Sequence, residues 1–587
     1  MRRPQTFLNL IFLFFGVLLL AVAVFVSPSD YARVLLGGAE KDLSWGPALF
    51  RALLFFHGLL LVALGPLARN IFKRKAFFAG EKEKLLGSRE LAFLTALSVV
   101  AVALRIINLN SDLWVDEVLT LVDFARQPLG AILTSFPSQN QHMLFSILAH
   151  GSISAFGESA WALRLPAVAF GIGSIWALYF LGRKILDRRE AVPAAALMAV
   201  SYHHIWFSQN ARGYTGLLFF TLLATWFWFE ALDRDEWRWW AAYAAAVVFG
   251  TWVHMTMAFV VAAHGLVFLV LWFAPRLAGD EEFSFERRAG LKPFAAWILS
   301  VTVTTQLYAL ALPEFLREGL HEESRNSLWT NPLWVLRESL QNLSIGFAAS
   351  AVVILGGAFV AFGWLSLFRK NRRAAFLFVL PPVFAGSLML ALGHNLFPRF
   401  FFFAMGFALL IVIHGALELP KFLSGFIAPL KTRRNLAAYA GLALAVLMIA
   451  ASLVTVPKNY RLPKQSFTAA RDFVLGASRP GEKIVAVSIA GDMYGKYFAP
   501  GWTAAETGAE LENIEKNNGK IWLIYTLSPE IQAFHPEMWE MIEKNYEIVQ
   551  VFPGTLNGGE IFVCRKRTTE EEKNESSRNI SQNPAFR

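Results

Sequence analysis

The chain opens on a long apolar stretch, FLNLIFLFFGVLLLAVAVF, at residues Phe7–Phe25. A helix needs about 20 predominantly apolar residues to cross a bilayer, so this stretch is long enough to span a membrane. It exceeds the apolar region of a typical signal peptide, and no clear small-x-small cleavage pattern follows it. We therefore expect an uncleaved transmembrane helix whose amino terminus, with Arg2 and Arg3, faces the cytoplasm.

The composition extends this prediction to most of the chain. Of 587 residues, 55% are hydrophobic and 17% are charged, and the mean hydropathy is +0.44. Soluble proteins carry about a quarter of charged residues, so the composition excludes a disordered, fibrous or nucleic-acid-binding protein. The net charge of +10 is modest for this length and is typical of basic cytoplasmic loops. The single cysteine, Cys564, excludes an intramolecular disulfide and a cysteine-based zinc site.

Further apolar runs bring the predicted count to about 13 membrane spans. These runs lie at 47–67, 90–107, 160–181, 191–207, 214–232, 237–255, 258–274, 293–312, 345–367, 374–392, 399–418 and 435–455.

Basic residues decide how the shorter stretch His142–Phe156 is interpreted, because positive charges collect in cytoplasmic loops. As a full span, this stretch would place Arg183 and Lys184 opposite the basic loop at 69–84. As an amphipathic helix in the interface, it leaves the basic clusters of every loop on one side. We therefore expect residues 108–159 to form a long outer loop with an interfacial helix.

The C-terminal part has a different pattern, and it also falls on the outer side. Short β-rich runs alternate with helix-like stretches, which predicts a small extracytoplasmic α/β domain. The predicted domains are an N-terminal hairpin with a basic cytoplasmic loop (1–89), a transmembrane core (90–455), the α/β domain (456–567) and a polar, disordered tail (568–587).

Ionisable residues near a membrane are functional candidates, and here they concentrate on the outer side. Asp116 and Glu117 follow Trp114 and point in different directions on a helix, so one can act as a general base while the other holds a partner or a metal. Any outer loop can also carry acids without such a role.

Cations and histidines supply the remaining candidates. Arginine is suited to bind phosphate, because its planar guanidinium donates hydrogen bonds in pairs. The alternative to a binding site is a belt of aromatic residues at the membrane interface, with an arginine that reaches the lipid headgroups. The candidates are His142 with His150 two turns later, Gln209, Arg212 and Tyr214 in the turn 202–214, His254, and His394 and Arg399 in the turn 394–400.

The order of these motifs resembles the GT-C glycosyltransferases. Trp114-Val115-Asp116-Glu117 is followed by His142, by the stretch Glu158–Pro166 and by Ser208-Gln209-Asn210-Ala211-Arg212-Gly213-Tyr214. The likeness covers roughly residues 90–455, and it is greatest to the branch with the protein O-mannosyltransferases and the lipid A aminoarabinose transferases. The latter also carry an outer α/β domain.

The resemblance implies a GT-C membrane fold and inverting transfer of a sugar from a polyprenyl-phosphate carrier to an acceptor hydroxyl on the extracytoplasmic face. Asp116 would take the proton from the acceptor hydroxyl, and Glu117 would support or orient it. Arg212 and Tyr214 match the family's Arg-x-Tyr turn and would face the phosphate, with Arg399 as a second phosphate contact.

The resemblance also implies a substrate role for His142, although Met143-Leu144 stand where the family often has Pro-Pro. Gln209, His254 and His394 complete the predicted substrate-binding residues. The expected partners are the lipid-linked donor, a glycan, lipid or protein acceptor, and membrane lipid, with no nucleic acid.

The lipid-phosphate sugar is a substrate, and no cofactor is predicted with it. A divalent metal stays an alternative, because some GT-C enzymes use one with an Asp-x-Asp pattern, but the first loop lacks that pattern and no metal ligand is assigned. The Trp-Trp-Asp motif of oligosaccharyltransferases is absent too.

Two rival functions remain at this point. A flippase or transporter of polyprenyl-linked sugars would also need many spans, but it should carry mid-span charges or repeated halves. A membrane scaffold that binds a partner through the α/β domain would give the acids of the first loop no role.

Overall fold

The computed structural model describes residues 2–36, 41–71, 86–277, 291–319, 331–334, 336–337, 340, 350–426 and 434–567. The predicted disordered tail and most of the basic loop at 69–84 lie outside these residues. The chain forms two compact units: Met1–Leu109 with Asp123–Val456, and Asn110–Val122 with Pro457–Arg587.

The described part of the first unit is helical. Its α-helices are α1 (Arg2–Phe25), α2 (Pro28–Leu35), α3 (Gly46–Ile71), α4 (Ser88–Ile106), a short helix (Leu129–Thr134), α5 (Met143–Phe156), α6 (Ala160–Ile185), α7 (Arg188–Ala199), α8 (Tyr202–Ser208), α9 (Tyr214–Arg234), α10 (Trp237–Val253), α11 (Met257–Phe273), α12 (Lys292–Tyr308), Leu312–Glu314, α13 (Ser350–Lys370), α14 (Arg372–Ala391), α15 (Met405–Ser424) and α16 (Arg434–Thr455).

By length and composition, six stretches in the described residues can cross a membrane, or up to eight if each bent helix pair is one span. They include Ala160–Ile185, Tyr214–Arg234 and Arg372–Ala391, and the chain is a multi-pass membrane protein. The helices Met143–Phe156 and Met257–Phe273 are apolar but shorter. The count of about 13 spans stays a prediction.

The predicted span 191–207 is divided in the structure. α7 ends at Ala199 and α8 begins at Tyr202, with Ser201 as the N-cap whose hydroxyl accepts a hydrogen bond from the His204 amide. A continuous helix over this run was therefore a wrong prediction, because the Ser201 side chain satisfies an amide at the start of a new helix.

A buried arginine joins the helices that lead to the α8–α9 turn. Arg105, at the end of α4, donates to the Ala101 and Ala199 carbonyls, to Ser208 Oγ at 3.1 Å and to His204 Nδ1 at 2.6 Å. Gly171 of α6 permits the same close packing, since a Cβ there would lie 2.3 Å from Ser208 Oγ. These contacts fix α8, and therefore the turn that follows it.

The second unit contains a five-stranded sheet. Its strands are β1 (Lys483–Val487), β2 (Thr503–Ala505), β3 (Ile521–Thr526), β4 (Tyr546–Phe552) and β5 (Ile561–Lys566), in the order β2-β1-β3-β5-β4. β2, β1 and β3 are parallel, whereas β5 is antiparallel to both β3 and β4. β3 is buried along its whole length, as expected for a central strand.

Helices complete the second unit. They are Val115–Leu119, Lys458–Arg461, Phe467–Ala477, Ile489–Met493, Gly508–Asn517, Ser528–Phe534 and Pro536–Asn545. The segment 110–122, which the sequence places in an outer loop of the membrane core, thus belongs to the same compact unit as the C-terminal sheet.

Candidate active site

The turn between α8 and α9 carries three of the predicted residues. Gln209 lies at its start, and its amide nitrogen donates to the Arg105 and Ile107 carbonyls at 2.9 and 2.6 Å. Both hydrogens of that nitrogen are therefore engaged with the end of α4. Gln209 holds the turn against α4, and its predicted contact with substrate stays a prediction.

Arg212 lies deeper in the same turn and is 3% exposed. Its Nη1 donates to the Asn140 carbonyl at 2.6 Å and also to the Asn140 side-chain oxygen. Its Nη2 lies 3.3 Å from His142 Nε2. The structure thus brings together Arg212 and His142, which are 70 residues apart in the chain.

His142 is the N-cap of α5 and is buried. The Gly213 amide donates to its Nδ1 at 2.6 Å, so Nδ1 is an acceptor. Burial, with the positive charges of Arg212 and Arg399, holds the pKa of His142 well below its ordinary value. The ring is neutral at physiological pH, and its single proton lies on Nε2.

This tautomer gives the site its chemical character. Nε2–H of His142 and Nη2 of Arg212 are both donors and lie side by side, so neither satisfies the other. An oxyanion between them would accept from both, with a charge-assisted bond from the arginine. The pair is therefore suited to bind an anion such as a phosphate.

Aromatic rings pack around this pair. The Tyr214 and His254 ring centroids lie 5.4 and 4.6 Å from that of His142. The Tyr214 hydroxyl is buried and has no hydrogen-bond partner among the described residues, although a buried phenol usually has one. His254 Nδ1 lies 2.9 Å from Thr256 Oγ1, which fixes the imidazole at the end of α10.

His394 lies on the turn between α14 and the 3₁₀ helix Pro398–Ala404, and Arg399 is the second residue of that 3₁₀ helix. Arg399 stacks on Phe397 and Phe400, with its Cζ 4.6 and 5.7 Å from the two ring centroids. Its positive charge is the smallest of the causes that lower the pKa of His142. His394 is half-buried, and its amide donates to the Met389 carbonyl at 2.9 Å.

The two predicted carboxylates lie in the second unit, and their surroundings differ. Glu117 is fully buried, accepts from the Trp114 amide at 3.3 Å and lies 4.0 Å from the Lys464 ammonium. Asp116 is half-buried on the same short helix, Val115–Leu119. Asp116 is thus the less buried residue of the two, although its Oδ2 is buried, and Glu117 is held by contacts within the protein.

Two further residues of the anion site are absent from the predicted set. Asn140 accepts from Arg212 through both its carbonyl and its side chain. Gly213 permits the close approach of His142, since a Cβ there would lie 2.7 Å from Nδ1. Both lie within two positions of predicted residues, and a glycine directly after the predicted phosphate-binding arginine is the signal that could have indicated the second.

Among the described residues, one group has the geometry to hold a metal ion. It consists of Glu190, His414 and Glu418. Both His414 nitrogens are already hydrogen bonded, Nδ1 to Glu190 at 2.7 Å and Nε2 to Ser366 at 3.1 Å. Lys370 lies 3.5 Å from Glu190, so the carboxylate already has a cation beside it. The group is satisfied as an ion cluster of α7, α13 and α15.

Comparison with known proteins gives a family match for one segment. Residues 141–278 match the model of the dolichyl-phosphate-mannose-protein mannosyltransferase family. The putative mannosyltransferase YkcB of Bacillus subtilis (strain 168) is 28% identical over 116 residues, which are 20% of this chain and 16% of the relative. The chain thus matches about a sixth of that relative's length.

Two solved structures are similar at low identity. The Archaeoglobus fulgidus oligosaccharyltransferase in the apo form is 14% identical, with a TM-score of 0.48, over 82% of this chain and 74% of that chain. ArnT from Cupriavidus metallidurans bound to undecaprenyl phosphate is 12% identical, with a TM-score of 0.46, over 82% of this chain and 98% of that chain.

The matched segment contains most of the anion site, namely His142, Gln209, Arg212, Tyr214 and His254. The segment that carries these residues thus matches the dolichyl-phosphate-mannose-protein mannosyltransferase family, in agreement with the predicted resemblance to glycosyltransferases of the protein O-mannosyltransferase branch.

Proposed function

We propose that this membrane protein transfers a sugar from a polyprenyl-phosphate-linked donor to an acceptor hydroxyl on the extracytoplasmic face, with inversion and with Asp116 as general base. The observation that carries the proposal is the pair of adjacent donors, Arg212 Nη2 and His142 Nε2–H, 3.3 Å apart in a buried site. The family description, in which mannose is carried on dolichyl phosphate, supports a lipid-phosphate donor.

The anion site stabilises the leaving group. Arg212 is buried and permanently charged, and Arg399 adds a second positive charge. When the sugar–phosphate bond breaks, negative charge grows on the phosphate oxygens, and fixed donors stabilise this charge more in the transition state than in the bound donor. The neutral His142 and the Tyr214 hydroxyl add directional donors without further charge.

Asp116 acts on the acceptor. Its carboxylate takes the proton of the acceptor hydroxyl as the oxygen attacks the anomeric carbon, and the bond from that carbon to the phosphate oxygen breaks. The products are the glycosylated acceptor, the lipid phosphate and a protonated Asp116. Attack from the side opposite the phosphate inverts the anomeric carbon. Glu117 is a positioning residue for this helix.

The remaining predicted residues complete the binding site. His254 packs against the His142 ring and keeps it in place, whereas His394 and Gln209 stay the predicted contacts with the donor or the acceptor. The acceptor is a glycan, lipid or protein hydroxyl. The residues named here need no cofactor for this reaction.

The substitution Asp116→Asn tests the general base, because it removes the proton acceptor and keeps the shape. We expect transfer of labelled mannose from a polyprenyl-phosphate mannose to membrane acceptors to fall by at least about 100-fold. Binding of the donor, measured separately, should stay near that of the wild type. Asp472→Asn is the matched control, since Asp472 is exposed on a helix of the same unit.

The outcome separates the proposal from its main rival. Near-normal transfer by Asp116→Asn would contradict the assignment of the base. Movement of the lipid-linked sugar across vesicle membranes, without transfer and unchanged in this variant, would instead indicate a transporter.

A further inference from the structure

The segment 110–122 packs with the C-terminal part of the chain. Although helices of the first unit flank it in sequence, it forms one compact unit with residues 457–567. The inference below rests on the proposed function, because this segment carries the proposed general base, Asp116.

The sheet of the second unit has a preferred place for a ligand. The chain leaves β1 to form β2 on one side and then β3 on the other, and all three strands are parallel. In such sheets a crevice opens beyond the carboxyl ends of the two strands where the order reverses, and ligands bind there. Here those strands are β1 and β3.

The chain's own segment 110–122 contacts both sides of this edge of the sheet. The helix Val115–Leu119 packs against the helix Ile489–Met493, which directly follows β1. Gln465 makes the connection to β3: its Oε1 accepts from the Val115 amide at 3.0 Å, and its Nε2 donates to Thr526 Oγ1 at 3.0 Å. Thr526 is the last residue of β3, and both it and Gln465 are fully buried.

Gln465 is itself fixed by the sheet. Its Nε2 also donates to the Gly559 carbonyl at 3.2 Å, so its amide cannot turn over without losing three hydrogen bonds. The carbonyl oxygen of the preceding residue, Lys464, accepts a hydrogen bond from the Leu556 amide at 3.1 Å. Gly554 allows this approach, because a Cβ there would lie 2.1 Å from the Lys464 carbonyl oxygen.

Two further contacts hold the ends of the segment. The Asp112 carboxylate accepts from the Thr468 amide and hydroxyl at 2.7 and 2.8 Å. The Lys464 side chain is 6% exposed, and its ammonium lies 4.0 Å from the buried Glu117 carboxylate. A buried carboxylate without a nearby cation would be strongly unfavourable, so Lys464 helps to hold Glu117 at this position.

We propose that the α/β unit holds the general base in position. The helix with Asp116 fills the ligand crevice of the sheet, and Gln465 and Lys464 are positioning residues for Asp116. The C-terminal sheet thereby contributes to catalysis through the position of Asp116. A displacement of the base by about 1 Å is expected to lower the rate by about 100-fold.

The test compares Gln465→Met and Thr526→Val with the wild type in the full-length protein. Both variants approximately keep the side-chain volume. Gln465→Met removes the hydrogen bonds of the Gln465 amide to Val115, Thr526 and Gly559, whereas Thr526→Val removes only the one to Thr526. Gln550→Met is the matched control, since Gln550 is exposed on β4 and donates to the adjacent Val551 carbonyl. Lys464→Met tests the charge beside Glu117.

The first readout, hydrogen exchange, does not depend on activity. We expect the amides of residues 114–118 to exchange at least about tenfold faster in Gln465→Met and Thr526→Val, while the β3 amides keep their wild-type protection. Protected β3 amides also show that the unit is folded. The Gln550→Met control should match the wild type at both places.

The second readout is transfer from polyprenyl-phosphate mannose. We expect kcat to fall by about 10- to 100-fold in Gln465→Met, with the donor KM within about twofold of the wild type. Lys464→Met should lower kcat in the same way.

The outcomes are distinct. Wild-type exchange at residues 114–118, or faster exchange with unchanged kcat, overturns the inference. Lowered kcat with unchanged exchange also overturns it, because the loss then has another origin. If the wild type transfers no sugar, the proposed function fails, and the exchange result alone decides whether the sheet holds this segment.

Discussion

At the scale of single residues, protonation distinguishes the two members of the anion site. Arg212 carries a permanent charge, whereas burial and neighbouring positive charges keep the pKa of His142 low and its ring neutral. Arginine supplies the attraction for an anion, and histidine supplies direction through Nε2–H. A second full charge in the same buried site would be costly without a bound anion.

Substitution of Arg212 should therefore weaken the use of the lipid-phosphate donor. We expect Arg212→Gln to lower kcat/KM by about 100-fold or more, because a charged donor to the leaving phosphate is lost. Arg212→Lys should recover only part of this, since lysine keeps the charge without the planar fork. The measurement is transfer at varied concentrations of polyprenyl-phosphate mannose.

Arg234→Gln is the control for that series. Arg234 lies at the other end of α9, where it pairs with the buried Glu230 at 2.7 Å. Lys184 lies 3.3 Å from the same carboxylate and stays beside it when Arg234 is replaced, so transfer should stay near that of the wild type. If Arg212→Gln had the same kcat/KM as this control, the proposed role of Arg212 in binding the donor phosphate would be contradicted.

At the scale of elements, the site depends on how closely α5 approaches the start of α9. Gly213 is the N-cap of α9, and its amide donates to His142 Nδ1 at the start of α5. A Cβ on Gly213 would also lie 2.9 Å from Val253 Cγ1 and 3.0 Å from the Val253 carbonyl oxygen at the end of α10. Three helix ends therefore meet at one residue without a side chain.

Gly213→Ala should separate these helix ends. We expect a lower midpoint of thermal unfolding, consistent with an overpacking cost of about 1–3 kcal/mol, together with a loss of transfer. The matched control is Gly151→Ala on α5, where the added Cβ has no atom within 4 Å. That variant should be slightly more stable, by about 0.5–1 kcal/mol, because alanine favours the helix. Equal unfolding midpoints and equal transfer rates for the two variants would show that the helix ends do not depend on a glycine at position 213.

At the scale of the whole molecule, two units with different compositions share one chain. The first unit is helical where it is described and exposes many large apolar side chains, including Phe14, Val99 and Val301, as expected for a surface in contact with lipid. The second unit contains the sheet and is rich in charged surface helices. The charge distribution predicts that this second unit lies on the extracytoplasmic side.

Cysteine labelling can test on which side of the membrane each unit lies, because the single native cysteine is not expected to react with the label. Cys564 is buried, and burial raises its pKa to about 12, so its thiol stays protonated and unreactive. We expect Lys516→Cys, on an exposed helix of the second unit, to react with a membrane-impermeant maleimide on intact cells. Arg189→Cys, exposed at the start of α7, should react only after permeabilisation.

The wild type serves as the control and should remain unlabelled in both conditions. Labelling of Arg189→Cys on intact cells would reverse the predicted topology and, with it, the extracytoplasmic location of the site.

Much of the helical organisation could be predicted from local pattern. The run 160–181 lies within the helix Ala160–Ile185, and 214–232 lies within Tyr214–Arg234, because a bilayer requires long apolar helices and this requirement is visible in composition. The break at Ser201 was missed, since an apolar run does not show where a hydroxyl will cap a new helix. The sequence named Arg212 and His142 as separate candidates, and their contact with each other was not predictable from it.

The sequence by itself determined that this chain is built of membrane helices, with chemistry-bearing residues between them, because hydropathy and charge act locally along the chain. Only the tertiary structure decided that Arg212 meets His142, that Glu117 is fully buried while Asp116 is half-buried, and that the segment 110–122 packs with the C-terminal sheet. These arrangements depend on packing between distant segments, and such packing leaves no periodic signal in the sequence.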